Sequence, residues 1–361
     1  MKTVEKKKRE PLFHVVKRDA IPGWKAALIR VIAVVLAILL CALIVFLFSG
    51  VTPIRYFRSM LKGNFGTENL IFANLYSVSI LLCVAVALTP AFRMHFWNIG
   101  GEGQVLVGAL AATACMFYLG GKIPQGLLWV LMTVASIGAG ALWAFVPAFF
   151  KAQWNTNETL FTLMMNYIAI QLVAFFIDVW VKNGSGTLKP MHEYGFPTVY
   201  NEYVLNCLVV VAVTILIYIY LRYSKHGYEL SVVGESENTA RYVGINVKKV
   251  IIRTLLLSGA ICGLAGLIIA GGMNHTVSTG SAGGRGFTAI MVSWLAKFNP
   301  LSMVLTSFLI VFLEAGSMQL KTDFRLDNIS DITTALILFF IIGCEFFINY
   351  RLVFRKTEKE A

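Results

Sequence analysis

Long apolar stretches, interrupted by short polar segments, make up most of this chain of 361 residues. They lack the regular alternation of apolar and polar positions that a half-exposed helix or strand shows. A helix needs about 20 apolar residues to cross the hydrocarbon core of a bilayer, and the pattern predicts an all-α, polytopic transmembrane bundle of about ten spans. The predicted spans cover residues 26–48, 70–90, 101–119, 124–149, 158–181, 203–221, 251–271, 280–296, 301–320 and 331–350.

Two of the predicted crossings are short or interrupted by glycine, near residues 100 and 283. In the eighth, the strongly apolar part from Phe287 to Ala296 is too short to cross unless the glycines before it take part. Segment 280–296 therefore either crosses or is re-entrant. Broken helices at membrane depth mark binding sites in transport proteins, because their backbone must be satisfied by protein or water.

Composition agrees with a membrane protein, since 57% of the residues are hydrophobic and only 14% are charged. Most Lys and Arg residues fall in loops on the side that holds both termini, which predicts cytoplasmic ends and an even number of spans. Basic loops of this kind explain the net charge of +12 better than nucleic-acid binding does. The predicted organisation is a basic tail over 1–25, a transmembrane region over 26–350 with a cytoplasmic loop at 222–250, and a basic tail over 351–361.

The sequence lacks the motifs of several enzyme classes. It contains no phosphate-binding loop of the Gly-x-x-x-x-Gly-Lys-Ser/Thr type, no His-Glu-x-x-His metalloprotease motif and no Gly-x-Ser-x-Gly nucleophile elbow. We therefore expect a chain that is not an enzyme by itself and binds no cofactor or metal.

Polar residues gather first in segment Phe96–Gln104, which interrupts apolar sequence on both sides. Asn98, Glu102 and Gln104 lie there close to membrane depth. Polar groups in a bilayer face protein or a water-filled path, so they are candidates for a transport path. A capped and kinked helix start, with Asn98 as the cap and Glu102 in the first turn, explains them equally well.

A second group is a stripe on the predicted helix 158–181. Glu158, Thr162 and Asn166 recur every four residues and therefore share one helix face. Hydrogen bonding between helices and contact with a transported substrate are both consistent with this stripe.

The cytoplasmic loop predicts a short amphipathic helix from Ser236 to Val243, capped by Ser236 and ended by Gly244. In a transporter without its own ATP site, such a helix suits docking to a separate motor. A solvated interfacial helix is the alternative.

Four segments are informative when taken together, namely Phe96–Gln104, Asn157–Ile168, Ala240–Asn246, and Gly286–Ile290 with Asn299-Pro300. They resemble the permeases of binding-protein-dependent ABC importers, and the similarity covers about residues 70 to 350. The nucleoside and simple-sugar branch, related to ribose and branched-chain amino acid permeases, is the most similar. Arg285 and Lys297-Phe298 depart from the usual pattern of that family.

The resemblance implies a permease subunit of the bacterial plasma membrane that forms the substrate path for nucleosides, or alternatively for simple sugars. It implies a cytoplasmic ABC ATPase that holds the ATP, a second permease subunit, identical or paralogous, and an extracytoplasmic substrate-binding lipoprotein. The coupling residues would be Glu237, Ala240, Arg241 and Gly244. The path residues would be Asn98, Glu102, Gln104, Glu158, Thr162, Asn166 and Phe287.

Two functions from other classes remain open on the sequence. An ion-coupled secondary transporter would use intramembrane carboxylates such as Glu102, Glu158 or Asp178. A membrane scaffold would tolerate bulky residues at Gly283 or Gly286.

Overall fold

A computed structural model describes residues 13–18, 22–181, 187–197, 201–325 and 329–354. The chain forms two compact units, residues 64–312 and residues 1–63 with 313–361. Most of the two predicted basic tails lies outside the described residues. The helices are α1 Gly23–Ser49, α2 Pro53–Phe65, α3 Glu68–Arg93, α4 Gly101–Leu119, α5 Gln125–Trp154, α6 Glu158–Trp180, α7 Val204–Tyr223, α8 Lys225–Glu235, α9 Glu237–Tyr242, α10 Val247–Ile269, α11 Arg285–Leu295, α12 Pro300–Phe324 and α13 Ile329–Asn349.

The all-α, polytopic architecture is confirmed. Among the described residues, eight helices are long and apolar enough to cross a membrane: α1, α3 to α7, α10 and α12. A π-helical turn over Ala270–Asn274 extends α10. Helix α13 is 21 residues long and covers the tenth predicted span.

The eighth predicted span, 280–296, is not a continuous helix. Helix α11 has 11 residues and is about 17 Å long, roughly half of the hydrocarbon thickness. Helix α10 starts beside α9 and ends beside His275, where the Met191 amide donates to the His275 carbonyl (2.8 Å). At the opposite end of α10, the Arg93 Nε donates to the Phe298 carbonyl (3.2 Å). The segment from 275 to 298 therefore connects both ends of this unit through non-helical chain and a short helix.

Two helices and a strand pair were not predicted. Helices α2 and α8 are short and too polar to be found as apolar runs. Strand β1, Phe13–Lys17, pairs antiparallel with β2, Tyr350–Phe354. This pairing places the chain before α1 and the chain after α13 at the same end of these two helices.

An ion pair joins α1 to α13 in the smaller unit. The Arg30 Nε donates to a Glu345 carboxylate oxygen at 2.7 Å. Both side chains are about three-quarters buried. A charged group in an apolar setting needs a partner of opposite charge, so this pair fixes the register between the first and last helices.

Glycines allow α4, α5 and α10 to pack with their backbones in contact. A Cβ atom at Gly140 would overlap the Gly259 carbonyl, and one at Gly263 would overlap the Ser136 carbonyl. A Cβ atom at Gly108 would lie 2.6 Å from the Gly263 carbonyl oxygen. Small residues at helix contacts of this kind permit close van der Waals packing in membranes.

We expect Gly259→Val to lower the thermal unfolding temperature in detergent, because the added side chain has no room between α5 and α10. Overpacking typically costs about 1–3 kcal/mol. The matched control is Gly138→Val, since a Cβ at Gly138 meets no described atom within 4 Å. Equal unfolding temperatures for the two variants, measured by intrinsic fluorescence, would contradict the tight contact.

Candidate functional site

The break between α3 and α4 is a tight turn over residues 94–100. Helix α3 ends with His95 in the left-handed region (φ +58°). The Phe96 amide donates back to the Ala91 carbonyl and the His95 amide to the Phe92 carbonyl, both at 3.0 Å. This pattern is a Schellman-type helix end. It reverses the chain without leaving the last carbonyls of α3 unpaired.

Asn98 organises the inside of this turn. Its side-chain oxygen accepts from the Gly100 amide (3.0 Å) and from the Gln104 Nε2 (3.3 Å). Its Nδ2 donates to the Ser258 hydroxyl of α10 at 3.2 Å. Asn98 is fully buried. The N-cap position of α4 is Gly100 rather than the predicted Asn98, whose side chain instead accepts from the amide of this N-cap residue.

Two residues of the α6 stripe satisfy the backbone of the turn. The Thr162 hydroxyl accepts from the Ile99 amide at 3.1 Å. The Asn166 amide group donates to the Ile99 carbonyl (3.0 Å) and accepts from the Gly103 amide (2.9 Å). Hydrogen bonding between helices, one of the two alternatives for this stripe, is thus present at these two positions.

Glu102 connects the two broken crossings. Its two carboxylate oxygens accept from the Gly284 amide (2.8 Å) and the Gly286 amide (2.7 Å) at the start of α11. A carboxylate at a helix N-terminus is favourable because it meets unpaired amides and the positive end of the helix dipole. A Cβ atom at Gly286 would overlap the Glu102 backbone amide, so only glycine permits this approach.

Beside this junction, α11 presents Phe287, whose side chain is 45% exposed. Arg285 is half-buried and lies within electrostatic range of Tyr76. The ring of Tyr76 in α3 lies 5.8 Å from that of Tyr203. Sequence reasoning missed Tyr76, Tyr203 and Ser258, and only Ser258, a polar residue within a predicted span, gave a signal that could have identified it.

Glu158 lies apart from these hydrogen bonds. Its carboxylate pairs with the Lys151 ammonium at 2.8 Å, between α5 and α6. Both line a cleft of about 200 Å³ at the end of the unit that holds α8 and α9, together with His95, Glu235 and Glu237. The stripe of α6 therefore runs from this cleft to the α3–α4 turn.

At the opposite end, segment 187–197 is held against the end of α10. The Trp129 indole donates to the Gly195 carbonyl (2.9 Å), and the Phe196 amide donates to the Gly271 carbonyl (2.9 Å). The rings of His192 and His275 lie 4.8 Å apart. Burial, and then the neighbouring His192, lower the pKa of His275, which disfavours a charge at this contact.

Comparison with known proteins gives a family and several full-length relatives. A family model described as "Branched-chain amino acid transport system / permease component" matches residues 70–342. The chain belongs to this permease family. The match includes the α3–α4 turn, the stripe of α6, the loop helices α8 and α9, and α11.

Three relatives cover most of the permease. The guanosine ABC transporter permease protein NupP of Bacillus subtilis is 29% identical, over 87% of this chain and 92% of the relative. The glucose ABC transporter permease protein TsgB13 of Haloferax volcanii is 28% identical, over 92% of both chains. The nucleoside ABC transporter permease protein NupB of Lactococcus lactis is 26% identical, over 88% and 91%. The chain is therefore the permease subunit of an ABC importer.

In the permease, the predicted loop helix is present as α9. The Ser236 hydroxyl caps it by accepting from the Thr239 amide (3.2 Å). Glu237 pairs with Arg241 at 3.3 Å on its exposed face, whereas Ala240 is fully buried. Gly244 follows with φ +84°, and the side chain of Tyr242 is 93% exposed. Ala240 thus packs α9 against the rest of the unit, and Tyr242 projects from it as a large exposed hydrophobic residue.

We expect Glu102→Gln to lower both the thermal stability and the transport activity of the permease. The amide side chain keeps the shape but has only one acceptor oxygen, so one amide of α11 loses its partner at a cost of about 1–3 kcal/mol. Glu102→Ala, which removes both acceptors, should be worse. Unfolding temperature and uptake, measured on the same membranes, test this order. An unfolding temperature for Glu102→Gln equal to that of the wild type would contradict a stabilising role for the Glu102 hydrogen bonds to α11.

Proposed function

We propose that this permease imports nucleosides, with purine nucleosides as the first candidates. The observation that supports this best is the similarity over nearly the whole chain to a guanosine permease and a nucleoside permease. The exposed aromatic ring of Phe287 at the start of α11 is consistent with it, because an aromatic face stacks well on a planar base. Simple sugars are the second candidate, since a glucose permease is similarly related.

Energy comes from a separate ABC ATPase in this proposal. The permease sequence holds no phosphate-binding loop, so ATP is bound and hydrolysed on the partner, and this chain is not an enzyme. A second permease subunit completes the path and an extracytoplasmic lipoprotein delivers the substrate. The termini, α8 and α9 lie on the cytoplasmic side of the bacterial plasma membrane.

The path in this proposal passes along the exposed side of α11. Phe287 contacts the substrate there, whereas Asn98, Glu102, Gln104, Thr162 and Asn166 form the wall behind it, where they are buried. Glu158 belongs to the cytoplasmic mouth, because it lines the cleft beside α9. Alternating access then requires the ATPase to change the position of this wall.

Uptake of labelled guanosine tests the substrate class. Cells that carry the permease with its partners should accumulate guanosine, and an excess of unlabelled adenosine should compete whereas glucose should not. Phe287→Ala should raise the KM by about 5–150-fold, since loss of one stacked base contact costs about 1–3 kcal/mol. Phe287→Tyr is the matched control and should retain uptake. Competition by glucose alone would favour the sugar candidate.

Charge changes in α9 test its proposed coupling to the ATPase. Glu237→Arg breaks the exposed ion pair with Arg241, and Ala240→Asp places a charge on the buried face of α9. Both should abolish uptake while the permease stays in the membrane. Tyr242→Ala should weaken co-purification of the ATPase, because a large exposed aromatic side chain of α9 is lost. Uptake that survives these changes and collapses with the proton gradient would favour a secondary transporter.

A further inference from the structure

Helix α8 contacts the α3–α4 turn through backbone atoms. A Cβ atom at Gly234 would overlap the Arg93 carbonyl oxygen and lie 3.2 Å from the Met94 Cα. Gly234 is buried. The close approach therefore needs glycine at this position, and it places the last turn of α8 on the residue at which α3 ends.

The last turn of α8 is also linked directly to α9. Ser236 alone separates α8 from α9. Its amide donates to the Val232 carbonyl (3.1 Å), and its hydroxyl accepts from the Thr239 amide (3.2 Å). One residue, hydrogen-bonded to both helices, leaves little freedom between them. A displacement of α9 is thus passed to α8 and from α8 to Arg93.

Residues on either side of the turn hold both ends of α11. At its C-terminal end, the Arg93 Nε donates to the Phe298 carbonyl at 3.2 Å. The Trp97 and Trp294 rings lie there 5.3 Å apart. At its N-terminal end, Glu102 accepts the amides of Gly284 and Gly286. Helix α11 is therefore held at both of its ends by residues in or next to the turn.

We infer that α8, the α3–α4 turn and α11 move as one body, and that Gly234 and Arg93 are the positioning residues that transmit motion from α9 to the wall of the path. This inference rests on the proposed function in one respect, namely that an ATPase docks at α9. The inference adds a physical connection between the ATPase-binding helix α9 and Phe287. Loss of either contact should leave ATP hydrolysis intact and uncouple it from transport.

The test uses the complete transporter in proteoliposomes, with a cysteine introduced at His95, an exposed residue of the turn. In the otherwise wild-type permease, ATP should change the rate at which maleimide labels this cysteine. The labelling of the permease without the introduced cysteine is subtracted as background. Gly234→Ala should abolish that change while the ATPase still co-purifies and hydrolyses ATP. Gly138→Ala, in open space on α5, is the matched control and should keep the change.

A second pair of variants covers the case in which Gly234→Ala does not accumulate in the membrane. Arg93→Ala removes the donor to Phe298 and should lower the amount of substrate imported per ATP hydrolysed by at least about fivefold, a modest loss for a coupled system. Arg93→Lys restores a cationic donor and should recover part of it. A merely structural role would lower uptake and ATP hydrolysis together and leave their ratio unchanged.

The outcomes separate this inference from the proposed function. Retention of the ATP-dependent labelling change in Gly234→Ala would overturn the inference, as would loss of ATPase binding, which would make the contact part of the dock. The labelling change requires no substrate. A wild-type transporter that shows it but imports no guanosine would therefore count against the substrate class and support the transmission.

Discussion

Interrupted helices in a bilayer leave backbone amides and carbonyls that lipid cannot satisfy, and each unsatisfied group costs several kcal/mol. In this permease, side chains from neighbouring helices satisfy backbone groups at the two interruptions, near residues 100 and 283. The carboxylate of Glu102 accepts two amides of α11, and the side chains of Thr162 and Asn166 satisfy the turn before α4. The tight glycine packing of α10 on α4 then brings Ser258 to Asn98.

Much of this arrangement could be predicted from the sequence. Length and hydropathy located eight of the spans, and polar residues inside apolar runs identified Asn98, Glu102, Thr162 and Asn166. The partners could not be predicted, because Glu102 and Gly284 are 182 residues apart. A position in the first turn of its own helix, with Asn98 as the cap, explained Glu102 equally well. Helices α2 and α8 were not predicted because they lie outside the apolar runs. The β1–β2 pair was not predicted because it joins opposite ends of the chain.

Because these polar residues are buried, they stabilise the fold and are poorly placed to select a substrate. A side chain whose hydrogen bonds are all used by the backbone of its own subunit has little capacity left for a substrate. Glu102 is close to this case, since it is buried and each of its two oxygens already accepts one backbone amide. Phe287 is half-exposed and has no such commitment. In the proposed function, substrate choice by this permease therefore depends on Phe287 more than on Glu102 behind it.

This constraint also limits how the permease can move. Separating Glu102 from α11 would leave two amides unsatisfied at once, a cost that rivals the roughly 5.5 kcal/mol needed to invert a two-state equilibrium from 1:99 to 99:1. Motion is cheaper where the chain makes few contacts. Gly283, the residue before the junction, has a positive φ angle, and a Cβ atom there would meet no described atom closer than 4.0 Å. We therefore expect bending in the loop up to Gly283, while the hydrogen bonds from Gly284 and Gly286 to Glu102 stay formed.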